Sequence, residues 1–221
     1  MQIKKPQSGF TLIEMIVSLG VFSVVVTVAL GALLILIASN RQLQEEQNIL
    51  SNLAFAVDSM TRELRTGSQY YCDSASSNSN GIFSNLSSSA GDLDYVLAVS
   101  DTQDCPTGNP GDQFRGIAFI EGGQSLTNTN QGRILYFFDG NENTIFRRVG
   151  NGTAQRIVSE GIYVVSADFF VTGSGPLLGG GTNDSEQASV TIVIEAADAD
   201  PATGAKTHWL QTTVVQRTLD I

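Results

Sequence analysis

One histidine, His208, in 221 residues leaves no room for metal or acid–base chemistry that draws several imidazoles from one chain. No nucleophile elbow, phosphate-binding glycine loop or His-Glu-x-x-His pattern occurs either, so no enzymatic activity is expected. His208 itself, beside Trp209 at the start of a strand-like run, reads as a strand-end surface residue. Cysteine is nearly as scarce, with Cys72 and Cys105 alone. Basic residues are outnumbered, 12 against 22 acidic, for a net charge of −10, which argues against a surface for phosphate backbones and against nucleic acid as a partner. Proline is missing between Pro6 and Cys72, so nothing there forces a helix to break. Finally, charge is absent altogether over residues 15–38.

That uncharged run of 24 residues, 15–38, would be about 36 Å long as a helix at roughly 1.5 Å per residue, enough to cross a hydrocarbon core about 30 Å thick. Lys4 and Lys5 are the only charges before Glu14, and a short basic N-terminal tail is retained in the cytoplasm. The expected topology is therefore single-pass in the cytoplasmic membrane, with the C-terminal part outside the cytoplasm.

Glu14 at the head of this run is costly. A carboxylate at the middle of a membrane helix costs about 2.5–3.5 kcal/mol on insertion scales, less near an end, and the physical remedy is a nearby opposite charge. A secretory signal would be cut after its apolar region, but Ala38-Ser39-Asn40 is a poor site and the helical pattern continues past it. The string Gly9-Phe10-Thr11-Leu12-Ile13-Glu14 instead resembles the N-terminus of type IV prepilins and type II secretion pseudopilins, which are cut before the apolar segment. That resemblance implies cleavage after Gly9 by a membrane prepilin peptidase and methylation of the new amine of Phe10. It also implies that Glu14 meets the N-terminal amine of a neighbouring subunit, so that assembly neutralises both charges. The implied partners are other pilin or pseudopilin subunits, the peptidase, an inner-membrane assembly platform and, before assembly, the lipid bilayer. Loss of Lys4 and Lys5 with the leader takes the side-chain charge from −10 to −12.

The helical pattern runs on beyond the membrane segment. Leu43, Leu50, Val57 and Leu64 recur every seven residues, with Leu53 and Met60 between them. This seam predicts one helix over about 10–66 whose second half packs on the chain's own sheet; an independent coiled coil is the weaker alternative, since Glu46 falls on the seam. Arg62, Arg65 and Thr66-Gly67-Ser68 supply cations and a stop at its C-terminal end. Many major pilins carry a proline about twenty-two residues into the mature chain, whereas this chain has Gly31 there. Any unwinding in a filament is expected near Gly20 or Gly31, or else these glycines serve close helix packing.

Residues 72–91 are rich in Ser, Asn and Gly and read as loop. Strand-like runs follow at 95–99, 114–121, 133–138, 144–149, 155–158, 162–171, 189–196 and 207–217, with Asp139-Gly140-Asn141-Glu142-Asn143 as a hairpin connection. The expected fold is α+β: a long N-terminal helix, transmembrane and then amphipathic, packed on a C-terminal antiparallel β-sheet in a pilin-like manner. Its segments are a leader at 1–9, a transmembrane and assembly half-helix at 10–38, and one soluble domain at 39–221. Roughly 155 residues beyond the helix, 67–221, suffice for a single core.

On the far side of the membrane, an even cysteine count points to one disulfide between Cys72 and Cys105, with two separate thiols as the alternative. Closing that loop stabilises by about 3–4 kcal/mol in the chain-entropy model. No cofactor is expected. Asp92, Asp94, Asp101, Asp104 and Asp112 around Cys105, or Asp198 with Asp200, offer oxygen ligands for Ca²⁺, but neither group matches the helix-loop-helix calcium pattern and solvated loops are the default.

The stretch 53–67 and the closing Gln211-Thr212-Thr213-Val214-Val215-Gln216-Arg217 resemble larger minor pilins or J-type pseudopilins. Removal of nine residues from 221 leaves 212, longer than a typical major subunit. The resemblance thus implies a structural subunit of a type IV pilus or type II secretion filament, acting at initiation or at the tip. A major pilus subunit, or a membrane-anchored extracytoplasmic binding protein or enzyme, remain the alternatives.

Overall fold

The computed structural model describes residues 9–72, 102–105, 113–123, 133–150, 152–175 and 187–217. The chain divides into two units, Met1–Gln47 and Asn48–Ile221. One helix, α1 (Leu12–Thr66), continues without a break through Gly20, Gly31 and the division between the units.

In the first unit α1 keeps its apolar side chains on the outside: Phe10 is 80 % exposed, and Leu19, Phe22, Val28 and Ile35 are exposed with it. In the second unit Ile49, Leu53, Ala56, Val57, Met60 and Leu64 are buried, a stripe at three- and four-residue spacing. The seven-residue seam is thereby corrected at its N-terminal end, because Leu43 and Leu50 are both exposed. An unsupercoiled helix drifts by about 20° per heptad, so a line drawn at every seventh residue slides off the buried face and Ile49 takes the place next to Leu53.

The helix packs on antiparallel strands: β1 (Ser68–Cys72), β2 (Gly116–Ile120), β3 (Arg133–Asp139), β4 (Thr144–Val149) and β5 (Gln155–Arg156) form one sheet in that order. A second sheet holds β6 (Tyr163–Thr172), β7 (Ser189–Ala197) and β8 (Thr207–Val215). The α+β arrangement is the expected one, and among the described residues its antiparallel strands form two sheets rather than a single sheet. They share one core, in which α1 residues meet Tyr70, Ile117, Phe119, Ile134, Tyr136 and Phe138 of the first sheet and Val164, Phe169, Ile192 and Ile194 of the second. Between them the backbone is stitched by Val164 N–H to the Asn143 carbonyl (2.9 Å) and Phe169 N–H to the Phe114 carbonyl (2.8 Å). Sheet two alternates buried and open positions, whereas β2 and β3 are buried on both faces.

The strand-like run at 95–99 lies outside the described residues, and β1 was not anticipated. Its entry is abrupt: α1 ends at Thr66, Gln69 takes a positive φ of 51°, and the β1–β2 register shifts between Ser68 and Tyr71. Tyr70 fixes this corner, its hydroxyl within donating distance of the carbonyls of Leu64 (2.5 Å) and Gly67 (2.9 Å), which accept in addition from Gly67 N–H and from Gln216 Nε2 respectively. The β3–β4 hairpin uses the expected residues; Asp139 Oδ1 accepts from the backbone of Asn141 (2.8 Å), and Asn143 adopts φ 50°.

One polar cluster holds α1 on the first sheet. Tyr136 and Arg147 stand opposite each other on β3 and β4, and so present side chains on the same face. Glu63 of α1 accepts from the Tyr136 hydroxyl (2.6 Å) and takes a two-pronged contact from Arg147, Nε at 3.0 Å and Nη2 at 2.9 Å. Burial, reinforced by the Glu63 hydrogen bond and charge, raises the Tyr136 pKa above its ordinary value. A raised folded-state pKa contributes stability that is complete below the unfolded value of about 10 and is lost as pH climbs toward the folded value.

Two outcomes test this packing. The denaturation midpoint should fall with rising pH above about 10, and Tyr136→Phe should lose about 1.5–3 kcal/mol at neutral pH while flattening that alkaline fall. An unchanged alkaline slope in the variant would assign the effect elsewhere. Separately, a Cβ at Gly67 would lie 2.4 Å from Cδ2 of the buried Phe119 ring, so Gly67→Ala should cost about 1–3 kcal/mol in urea denaturation.

Candidate functional site

The residues singled out for processing and assembly sit at the N-terminal end of α1. Gly9, Phe10 and Thr11 precede the first helical residue, Leu12, and all are exposed. Thr11 occupies the capping position: its Oγ1 accepts from the Glu14 backbone N–H at 3.4 Å, and its carbonyl accepts from Met15 N–H at 3.3 Å. Thr11-Leu12-Ile13-Glu14 thus has the Thr-x-x-Glu pattern of a capping box, with Glu14 the acid of the first turn. There the unpaired N–H groups carry the positive end of the helix dipole, which favours a carboxylate. The cost of a carboxylate in an apolar run points to Glu14; the Thr-x-x-Glu spacing was the readable signal for the Thr11 cap, which the sequence reading missed.

Glu14 shares an open groove along the helix with Thr11, Ile13, Val17, Ser18, Val21, Phe22 and Val25. This is a surface of one helix without protein cover. The helix is long and apolar enough to cross a membrane by length and composition, its most apolar 18-residue window having mean hydropathy 2.9 and none of it buried.

The other residues named from sequence lie in the second unit. Cys72 and Cys105 form a disulfide with Cα atoms 6.1 Å apart, both sulfurs buried. Cys105 in turn makes a two-way backbone bridge to Val171 of β6, N–H to carbonyl at 2.9 and 3.0 Å, so the disulfide ties the end of β1 to the second sheet. Asp104 beside it accepts from the backbone of Gly173 (3.1 Å) and Ser174 (2.8 Å), and Asp200 caps the 3₁₀ turn Pro201–Thr203 by accepting from Ala202 N–H. Asp92, Asp94, Asp101 and Asp112 lie outside the described residues. Among the described residues no three His, Cys, Asp or Glu side chains converge as a metal site would require. His208 is half-buried in β8, opposite Ala196.

Residues 4–30 match the family model of the prokaryotic N-terminal methylation motif. The match spans the basic tail, Gly9, Phe10, Glu14 and about two-thirds of the apolar run, and it supports a type IV pilin-like or pseudopilin subunit. No curated protein and no solved structure matches the chain.

If Thr11 caps α1, Thr11→Ala should loosen the first turn by about 1 kcal/mol, read as roughly five- to tenfold faster amide exchange at Ile13 and Glu14 in detergent micelles. Equal exchange in both proteins would remove the cap from the account.

Proposed function

We propose that this chain is a structural subunit of a type IV pilus or type II secretion filament, and that it assembles through α1 after removal of residues 1–9. The observation that carries this reading is the coincidence of the methylation-motif match with an apolar helix surface that the chain leaves uncovered. In the membrane, lipid covers that surface; in a filament, the equivalent helices of neighbouring subunits do so. Phe10 becomes the N-terminal, methylated residue, and its ammonium on one subunit approaches Glu14 of the next. Thr11 caps the helix start through the Glu14 backbone N–H, and the intersubunit amine neutralises the Glu14 carboxylate. The soluble domain stands on the extracytoplasmic side. Its size, with 212 residues after cleavage, favours a minor subunit that helps to initiate the filament or sits at its tip.

Mass spectrometry of the mature N-terminus, from membrane and sheared-filament fractions, tests the proposal. The expected N-terminus is N-methylated Phe10, and Gly9→Ala should retain the leader and abolish recovery in filaments. A chain that keeps its leader in wild-type cells and still reaches the cell surface as a monomer would sink the reading. Glu14→Gln should insert into the membrane normally but enter filaments less efficiently. Abundance ranks the subunit, since a major component would dominate the sheared fibres.

A further inference from the structure

The two faces of the second sheet have opposite characters. Its inner face carries Val164, Phe169, Ile192 and Ile194 into the shared core. Strand alternation puts Asp168 of β6, Val193 and Glu195 of β7, and Trp209 and Gln211 of β8 on the other face. There Trp209 is 63 % exposed and Gln211 is exposed beside it, while Val193 and Glu195 are half-buried. Scattered exposed aliphatic residues are ordinary on a surface. A tryptophan left open on a rigid sheet is different, because its large amphipathic ring is the kind that anchors interfaces.

Charge identifies the kind of partner. None of the three strands contains a lysine or an arginine, and their two carboxylates, Asp168 and Glu195, both belong to the outer face. Asp168 is engaged, accepting from the Phe114 N–H at 3.1 Å. Among the described residues nothing pairs with the Glu195 carboxylate, and Lys206, the cation nearest to Trp209 in sequence, already has an interaction of its own.

Glu195 and Trp209 stand directly opposite each other on β7 and β8. Residues so paired hold their Cβ atoms about 4.5–5.5 Å apart on one face. An arginine suits this pair on every count: its planar guanidinium stacks on an indole within about 6 Å, its fork of N–H groups meets a carboxylate, and its methylene stem covers an apolar neighbour such as Val193. A lysine ammonium has neither plane nor fork, and a neutral partner leaves Glu195 unanswered. A second copy is a poor fit, since two copies meeting through this face set Glu195 against Glu195 with no cation on either sheet, on chains of net charge −10.

We propose that the outer face of the second sheet is a docking surface for a different protein that presents an exposed arginine, the guanidinium stacking on Trp209 and pairing with Glu195. Gln211, exposed beside the indole, is placed to accept or donate hydrogen bonds at the rim of the same contact.

Three synthetic peptides test this on the full chain in detergent micelles: acetyl-Gly-Thr-Arg-Thr-Arg-Thr-Gly-amide and its forms with lysine or neutral citrulline in place of arginine. Trp209 is the only tryptophan, so its single indole N–H resonance reports on the site. The lysine form carries the same charge, so unspecific attraction to an acidic chain moves both charged peptides equally. The arginine peptide should shift the indole signal and bind about three- to tenfold more tightly than the lysine form, and the citrulline form should leave the signal in place. Glu195→Gln should weaken the arginine peptide by about fivefold and erase its advantage over lysine; Trp209→Leu should do the same, read from the amide signal of Gln211. Added salt should weaken the arginine peptide in the unaltered chain. The proposal fails if arginine and lysine bind alike, if citrulline binds as well as arginine, if Glu195→Gln changes nothing, or if the indole signal stays in place at about 1 mM arginine peptide. An indole shift that grows with protein concentration in the absence of peptide would make a second copy the occupant and overturn the assignment.

Discussion

An apolar helix surface that its own chain never covers is the constraint on which the rest depends. From Phe10 to Ile37 large hydrophobic side chains point outward. At about 25 cal/mol per Å² of apolar surface, leaving that stretch in water is not a stable option for a dispersed protein. Lipid or other helices must take the place of a core. The same demand explains the local sequence: within hydrocarbon every backbone group needs a partner along the helix, so the stretch carries no proline and its start carries a cap. Gly20 and Gly31 fit this view, because a Cβ on either would meet nothing within 4 Å, and no contact inside this chain calls for their small size.

The second half of α1 solves the opposite problem, being a helix that must hold fast to one partner. Its buried stripe supplies most of the attraction, since each fully buried Leu or Met is worth about 1.5–3 kcal/mol. Apolar contact is tolerant of sliding, however, and the Glu63 contacts to Tyr136 and Arg147 are directional. They set the rotation and height of the helix on β3 and β4. The disulfide does comparable work between the sheets, because Cys72 ends β1 and Cys105 bridges to β6.

What was legible in the sequence followed from strong, local signals. The uncharged run, the Gly9-Phe10-Thr11-Leu12-Ile13-Glu14 string and the alternation in 189–196 and 207–217 each involve many residues obeying one period, and the corresponding elements lie close to where they were expected. The failures are failures of long-range information. β1 is a short Tyr-Tyr run beside a helix stop; only the tertiary fit of Tyr70 under the helix end and against Phe119 makes it a strand. The division into two sheets depends on edge contacts at Asn143, Phe114 and Cys105, residues separated by long stretches of sequence with no shared pattern. Leu43 and Leu50 misled because a heptad and a straight helix agree over one repeat and diverge over three.

Glu14 shows how a local and a distant cause combine. Taken as a charge in an apolar run, it demanded a partner outside the chain. The capping geometry supplies part of what was missing: a first-turn acid gains about 0.3–1 kcal/mol from the helix dipole. That is smaller than the 2.5–3.5 kcal/mol assigned to a carboxylate deep in a membrane, but the helix end is where that cost is least. The dipole offsets only part of that cost, and on insertion the apolar run, which returns about 0.3–0.6 kcal/mol for each Leu, Ile, Val or Phe, offsets the rest. A neutral glutamine fills the same position in a capping box but forgoes the gain that a full charge draws from the dipole. That gain answers only part of the carboxylate's local cost in an apolar run, and an opposite charge nearby is the physical remedy for the remainder.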